Sequence, residues 1–82
     1  MRLDKYLKVS RIIKRRTVAN EACVAGRLIV NDKIARASYD VKIGDIIDLQ
    51  LGARAIKVKV IAVNEYAKKE DAGDMYEVIA EN

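Results

Sequence analysis

The spacing of apolar residues changes along the chain, which predicts helices before about residue 27 and strands after it. Leu3, Tyr6 and Leu7 recur at intervals of three and four residues, a spacing typical of a helix that buries one face. We therefore expect a first helix over residues 3–9, with the ring of Tyr6 in the core. Asp4 lies in the first turn, where the helix dipole favours an acidic side chain.

A second short helix is expected over residues 18–25, where small apolar residues are frequent. Thr17 is a residue type that often caps a helix N-terminus, and Gly26 suits the left-handed conformation that ends many helices. In the connection between the helices, Ile12 and Ile13 are expected to contact the core. The apolar side predicted for the second helix comprises Val18, Ala19, Ala22, Cys23 and Ala25.

From residue 27 onward apolar and polar residues alternate, as in antiparallel strands that bury one face. Asn31 and Asp32 predict a tight turn between the first two strands, and Gly44 and Gly52 mark later turns. The predicted fold class is α+β, with two short helices packed on a small twisted antiparallel sheet of four or five strands. The predicted strands cover residues 27–30, 33–36, 47–51, 56–60 and 75–79, and the polar segment 64–74 is expected to be a loop with a helical turn.

The composition is that of a small folded protein, with 82 residues of which 51% are hydrophobic and 34% charged. This length supports a single domain over residues 1–82. A core motif is expected at about residues 2–50, while residues 51–82 complete the sheet and give an acidic C-terminal part. The sequence has no run of 18 apolar residues and a single cysteine, Cys23. We therefore expect a cytoplasmic protein with no membrane partner and no internal disulfide.

Positive charge is concentrated at one end of the chain. Residues 1–16 carry seven basic residues and one acidic residue, a net charge of +6, whereas residues 61–82 carry two basic and six acidic residues, a net charge of −4. Such concentration indicates an anionic partner. The basic segment lacks the Trp and Phe anchors of membrane-surface helices, which favours nucleic acid. The second helix offers only Asn20 and Glu21 for reading base edges in a groove, so RNA is favoured over DNA.

The candidate RNA-binding residues follow from this distribution of charge. Arg27 and Lys33 flank the first hairpin, and Asn31 lies at its tip. Arginine suits the task because its planar guanidinium forks onto phosphates and stacks on exposed bases. The seven basic candidates of the first segment are Arg2, Lys5, Lys8, Arg11, Lys14, Arg15 and Arg16.

The sequence does not indicate catalytic chemistry. It has no histidine and no glycine-rich phosphate loop, which excludes histidine-dependent nucleophile pairs and P-loop sites. The acidic residues near the C-terminus lack the spacing of a calcium-binding loop, and Cys23 is expected to be a buried small apolar residue. We therefore expect a protein that is not an enzyme, with no catalytic residue, no metal site and no cofactor.

Four short motifs occur in a fixed order over about residues 2–50, and this order resembles the RNA-binding domain named after small-subunit ribosomal protein S4. Within that family the chain is similar to the free-standing branch, which includes the heat-shock-protein-fifteen type. It is most similar to the short Gram-positive members of that branch that act in ribosome-associated quality control, and its ending over residues 74–78 fits that short form. The motifs are Arg2-Leu3-Asp4-Lys5, Arg15-Arg16, Ala25-Gly26-Arg27 with Val30-Asn31, and Val41-Lys42 with Gly44-Asp45.

The resemblance implies a role and partners. Members of this branch bind a large ribosomal subunit that still carries peptidyl-tRNA after the subunits have split. They contact large-subunit rRNA and hold the peptidyl-tRNA in the P site. The quality-control members work with a tailing factor that recruits alanyl-tRNA, so that alanine is added to the stalled chain. We expect the chain itself to be a monomer.

The resemblance also assigns roles to individual residues. Asp4 is expected to orient Arg2 or Lys8 rather than to meet a phosphate. Asp32 stands where the family often has Gly, and its negative charge opposes a close approach of RNA to the hairpin tip. The RNA contacts carried over from the family are Arg2, Lys5, Arg15 and Arg16, with Arg27 and Asn31 as further candidates.

Alternative functions remain open from the sequence. A generic RNA-binding protein or a heat-shock ribosome-rescue factor would use the same basic segment. A protein-interaction adaptor would instead use the acidic end and the polar face of the sheet. A DNA-binding repressor is a third, weaker alternative, because the second helix expected over residues 18–25 carries no basic residue of its own.

Overall fold

The computed structural model describes residues 1–81, which form two α-helices, one 3₁₀ helix and one antiparallel sheet of five strands. The strand order across the sheet is β2-β1-β3-β4-β5. The predicted α+β class, with two helices packed on a sheet of four or five strands, is confirmed. The elements are α1 (Leu3–Val9), α2 (Arg16–Val24), β1 (Leu28–Val30), β2 (Lys33–Ile34), β3 (Ile46–Leu51), β4 (Arg54–Val60), the 3₁₀ helix (Lys69–Met75) and β5 (Tyr76–Glu81).

Helix α1 has the predicted bounds and buries the predicted face. Leu3, Tyr6 and Leu7 have no exposed surface. The hydroxyl of Tyr6 donates a hydrogen bond to the backbone carbonyl of Met75, at 2.8 Å. A buried tyrosine hydroxyl usually needs such a partner. Tyr6 therefore joins the first helix to the residue that precedes β5, and its ring is unavailable to RNA.

Helix α2 begins earlier than the sequence predicted. Its N-cap position is Arg15, which makes no side-chain capping bond, so the expectation that Thr17 caps the helix is wrong. The helix ends as expected, with Gly26 at a φ of 73°. The amide of Gly26 donates to the carbonyl of Cys23, and the amide of Arg27 donates to that of Ala22, both at 3.0 Å. This pair of bonds is a Schellman motif, which satisfies the last carbonyls of the helix.

One face of the sheet forms the core with the helices. Strand β1 pairs with both β2 and β3, so that Leu28 lies opposite Leu49. Strand β3 also pairs with β4, and there Asp48 lies opposite Lys57. Successive side chains of a strand alternate in direction, so Asp48 and Lys57 lie on the face of the sheet away from the helices. Of the apolar side predicted for α2, Val18 and Ala25 are exposed. The buried core residues of the sheet and α2 include Ala19, Ala22, Cys23, Leu28, Val30, Ile47, Leu49, Val58 and Val60.

No helix within residues 1–81 combines the length and the apolar character that crossing a membrane requires.

Candidate nucleic-acid interface

Two arginines converge on one carboxylate, Arg2 from the N-cap position of α1 and Arg16 from the first residue of α2. The Nε of Arg2 lies 3.1 Å from Oδ1 of Asp4, and its Nη2 lies 3.4 Å from Oδ2. The Nε of Arg16, at the start of α2, lies 3.4 Å from the same Oδ2. The backbone amide of Lys5 also donates to Oδ1 of Asp4, at 2.8 Å. Asp4 thus orients Arg2, as expected, and it orients Arg16 instead of the expected alternative, Lys8.

Asp4 is buried beneath these arginines. The side chain of Asp4 is only 4% exposed, while those of Arg2 and Arg16 are 51% and 47% exposed. Burial alone would raise the pKa of Asp4, but the hydrogen bonds from Arg2, Arg16 and the Lys5 amide outweigh it and lower the pKa. The carboxylate therefore stays charged and holds both guanidinium groups in place. Each guanidinium has five donor positions, so both keep free N–H groups for a phosphate.

The connection between the helices carries basic residues on a well-anchored backbone. Ile13 is buried, and its amide donates to the carbonyl of Leu7, at 3.1 Å. Arg11 adopts a left-handed conformation, with a φ of 63°, which turns the chain between the helices. Arg11, Lys14 and Arg15 are exposed, and none of them forms an ion pair with another residue in the 1–81 range. Their charge is therefore available to a partner.

A groove lies beside this connection, with a volume of about 540 Å³. Three basic side chains line the groove, together with two residues of the segment that follows β4. Lys5 is next to the groove, with its Nζ 4.0 Å from Oε1 of Glu65. The residues that line the groove are Lys8, Val9, Arg11, Lys14, Glu65 and Ala67.

The start of α2 is not arranged for helix stability. Arg15 at the N-cap and Arg16 in the first turn place positive charge where the helix dipole is already positive, and this placement is unfavourable for the helix. The first amides of α2 receive no side-chain cap. Free amides and arginines together at a helix N-terminus suit an anionic group.

The first hairpin has a structural network at its tip. Asn31 and Asp32 both have positive φ values, 51° and 69°, as a type I′ turn requires. The Nδ2 of Asn31 donates to Oδ1 of Asp45 at 3.0 Å, and its Oδ1 accepts from the amide of Ile46 at 3.0 Å. Both ends of the Asn31 side chain are therefore engaged within the protein. RNA contact by Asn31, and by the exposed Arg27 and Lys33, stays a prediction, because within residues 1–81 none of the three lines the groove or bonds to Asp4.

The carboxylate of Asp45 accepts the hydrogen bonds that hold this network together. The hydroxyl of Tyr39 donates to its Oδ2 at 2.8 Å, and the amide of Lys42 donates to the same atom at 2.9 Å. Burial alone would raise the pKa of Asp45, but the hydrogen bonds from Lys42, Tyr39 and Asn31 outweigh it and lower the pKa. The network fixes the hairpin to the loop before β3.

Two exposed residues near the basic segment were not singled out from the sequence. Arg36 lines a shallow pocket together with Arg2 and Val24, although it is distant from Arg2 in the chain. Tyr66 is 85% exposed, and the Nζ of Lys5 lies 5.9 Å from the centroid of its ring. Tyr66 lies in a segment whose polar composition gave only a loop prediction, so no spacing could have assigned it to the basic face.

The described residues offer little for other chemistry. Burial raises the pKa of the Cys23 thiol, which makes it a poor nucleophile. Among residues 1–81, no three His, Cys, Asp or Glu side chains are grouped so that they could hold a metal ion. The arrangement is suited to binding phosphates through fixed arginines.

Comparison with known proteins supports this interpretation. The S4 domain family model matches residues 1–47. The "RQC P-site tRNA stabilizing factor" of Streptococcus pneumoniae is 53% identical over 81 residues, covering 99% of this chain and 92% of the relative. The protein of the same name from Halalkalibacterium halodurans is 49% identical, covering 95% and 89%. The trimeric structure of Vibrio cholerae Heat Shock Protein 15 superposes with a TM-score of 0.89 at 27% identity, covering 98% of this chain and 82% of that one.

Proposed function

The chain belongs to the S4 domain family, and from this premise we propose that it binds RNA through one basic face. The observation that carries the proposal is the pair of half-exposed arginines held by the buried Asp4. A buried carboxylate that fixes two guanidiniums reduces the entropy lost when they bind phosphates. The basic face comprises Arg2, Lys5, Lys8, Arg11, Lys14, Arg15 and Arg16.

The proposed role is in ribosome-associated quality control. The names of the full-length relatives support it, because they specify a factor that stabilises tRNA in the P site. We place the chain on large ribosomal subunits that carry an obstructed peptidyl-tRNA, in contact with rRNA and tRNA. It would act in the cytoplasm, as one folded unit and without catalysis. A tailing factor that brings alanyl-tRNA would then extend the stalled chain with alanine.

The experiment that tests this proposal measures binding of the protein to purified large subunits that carry peptidyl-tRNA. Arg2→Ala and Arg16→Ala should each weaken binding and lower stability by about 1 kcal/mol, because each removes a hydrogen bond to the buried Asp4. Lys59→Ala is the charge-matched control, because Lys59 is exposed on the sheet face opposite the helices. If about six phosphates are neutralised, affinity should fall roughly a thousandfold between about 50 and 200 mM salt. A flat salt response, or equal effects of the three variants, would contradict the proposal.

Sequencing of crosslinked RNA would identify the target. The tagged protein is sedimented from lysate through a sucrose gradient, and the RNA crosslinked to it in the peak fraction is sequenced. We expect migration with the large subunit and reads from both rRNA and tRNA. Migration with free protein, together with scattered reads, would reduce the function to generic RNA binding.

We propose that the chain acts as a monomer. The Vibrio cholerae relative is described as trimeric, so the oligomeric state of this chain has to be measured directly. Sedimentation equilibrium at micromolar concentration should give the mass of one chain, 9.2 kDa. A mass of three chains would refute a monomer.

A further inference from the structure

An exposed aromatic side chain stands beside the basic face. Tyr66 is 85% exposed and lies in a polar segment that includes Asn64 and Glu65. The other three tyrosines are less exposed, and the rings of Tyr6 and Tyr76 contribute to the core or pack against it. A single exposed apolar side chain is common on protein surfaces, so a functional role for Tyr66 has to be argued from its neighbours.

Tyr66 is positioned by a hydrogen bond to its backbone and by a lysine beside its ring. Its backbone amide donates to Oδ1 of Asn64, at 3.0 Å, which forms a local turn. The Nζ of Lys5 lies 5.9 Å from the ring centroid and 4.0 Å from Oε1 of Glu65. The cation attracts one face of the ring. The opposite face remains open to a planar partner.

Tyr66 does not itself line the groove described above, but it lies between two residues that do. Its two chain neighbours, Glu65 and Ala67, line that groove, and Lys8, Arg11 and Lys14 line it as well. The three basic side chains provide sites for phosphates, whereas the carboxylate of Glu65 opposes phosphate on its own side. A nucleotide that placed its phosphate on the basic side would bring its base toward Glu65 and Tyr66.

We propose that Tyr66 stacks on an unpaired base of the bound RNA while the groove holds the adjoining phosphates. This inference rests on the proposed RNA-binding function and extends the interface beyond the family motif, which ends at residue 47. Unpaired bases bind proteins chiefly by stacking on aromatic rings and by backbone contacts to basic grooves. The carboxylate of Glu65 can accept a hydrogen bond from an exocyclic amino group of the same base.

The test compares three substitutions in binding to large subunits that carry peptidyl-tRNA. Tyr66→Ala should weaken binding roughly tenfold, because it removes one stacked base. Tyr66→Phe should bind like the unchanged protein, since stacking needs the ring and not the hydroxyl. Ile43→Ala is the control, because Ile43 is an apolar residue of comparable exposure, 70%, that does not line the groove.

Salt dependence separates stacking from charge. Tyr66→Ala should leave the slope of affinity against salt unchanged, whereas Lys14→Ala should reduce that slope by about one. The sequence contains no tryptophan, so Tyr66→Trp introduces a single indole whose fluorescence should be quenched when RNA binds. Quenching with retained affinity would support stacking at this position.

The outcomes distinguish the inference from the proposed function. Normal binding by Tyr66→Ala together with weakened binding by Arg16→Ala would overturn the stacking and leave the function intact. Normal binding by both variants would overturn the function as well. Equal losses for Tyr66→Ala and Tyr66→Phe would show a contact to the hydroxyl and would also overturn stacking.

Discussion

Arg16 donates a hydrogen bond to the carboxylate of Asp4, at 3.4 Å, across twelve residues of sequence. The bond joins the start of α2 to the first turn of α1, and Arg2 binds the same carboxylate. The positions of the two arginines are therefore set by a buried acid. This relationship allows the effects of charge and of position on RNA binding to be separated.

Asp4→Asn should weaken RNA binding even though it makes the protein more positive. The amide cannot hold two guanidiniums as a carboxylate does, so Arg2 and Arg16 lose their fixed positions. Hydrogen bonds to charged groups contribute about 1.5–3 kcal/mol each, and we expect a loss of stability near the lower value, because both arginines are half exposed to solvent. Binding and urea unfolding are measured on the same samples. Tighter binding by the variant would show that total charge dominates over position.

Stability should fall at acidic pH because of Asp4 and Asp45. Hydrogen bonds hold the folded pKa of each below the ordinary value of 3.8. A lowered folded pKa contributes stability that is complete above the unfolded pKa and is lost as the pH falls through the folded one. Urea unfolding from neutral pH to about pH 3 should therefore show a decline that begins near pH 4. The double variant Asp4→Asn, Asp45→Asn should be less stable at neutral pH and show a shallower decline. If the double variant lost stability at acidic pH as steeply as the unchanged protein, the loss would come from other acidic residues.

Arg15→Asp should stabilise the fold and weaken RNA binding. Aspartate is a favoured N-cap residue and suits the helix dipole, which together give about 1 kcal/mol. The backbone at Arg15 already has the extended conformation of an N-cap, with φ −120° and ψ 131°. Arg15→Ser provides a neutral cap as the matched control, and it should stabilise the fold with a smaller loss of binding. Thermal unfolding and RNA affinity report the two effects. Unchanged affinity for the aspartate variant would remove Arg15 from the interface.

Asp32→Gly tests whether the hairpin tip approaches RNA. Asp32 has a φ of 69°, a conformation that costs most side chains roughly 1–2 kcal/mol and glycine nothing, although glycine loses more entropy on folding. We expect a net gain in stability of about 0.5 kcal/mol. If Arg27 and Lys33 contact RNA as predicted, removing the nearby negative charge should also raise affinity roughly twofold to threefold at low salt. Higher stability with unchanged affinity would place the tip outside the interface.

Tyr6→Phe should affect the fold and not RNA binding. It removes the hydrogen bond from the tyrosine hydroxyl to the carbonyl of Met75. That carbonyl keeps two backbone donors, the amides of Ile61 and Ala62, at 2.9 and 3.1 Å. The cost should therefore be modest, about 1 kcal/mol, in thermal or urea unfolding. A selective loss of RNA affinity with unchanged stability would contradict the core position of the ring.

The sequence predicted the elements whose signals are local. The spacing of Leu3, Tyr6 and Leu7 gave the first helix with its observed bounds, because a helix that buries one face needs that spacing. Gly26 predicted the end of α2, since few other residues adopt its left-handed conformation. The start of α2 was mispredicted at Thr17, because the helix begins at Arg16 without a side-chain cap, and Arg16 is held there by a bond to Asp4 of α1 that spacing along the sequence does not reveal.

Most of the candidate interface depended on relationships across the chain. The charge of the first segment could be counted from the sequence, but the pairing of Arg16 with Asp4 follows from the packing of α1 against α2. The pairing of β1 with β3, which sets Leu28 opposite Leu49, is likewise between residues distant in the chain. Tyr66 is near Lys5 only because the segment after β4 returns to the first helix.

The bond from Tyr6 to Met75 spans 69 positions of an 82-residue chain, which has a consequence for the order of folding. Contacts between distant residues form slowly, because a long loop must close before they can contribute. A chain emerging from the ribosome presents its basic helix early, but that helix cannot complete its packing until residues near the other end have been synthesised. The rate of maturation should therefore be set by closure of the whole chain rather than by formation of either helix.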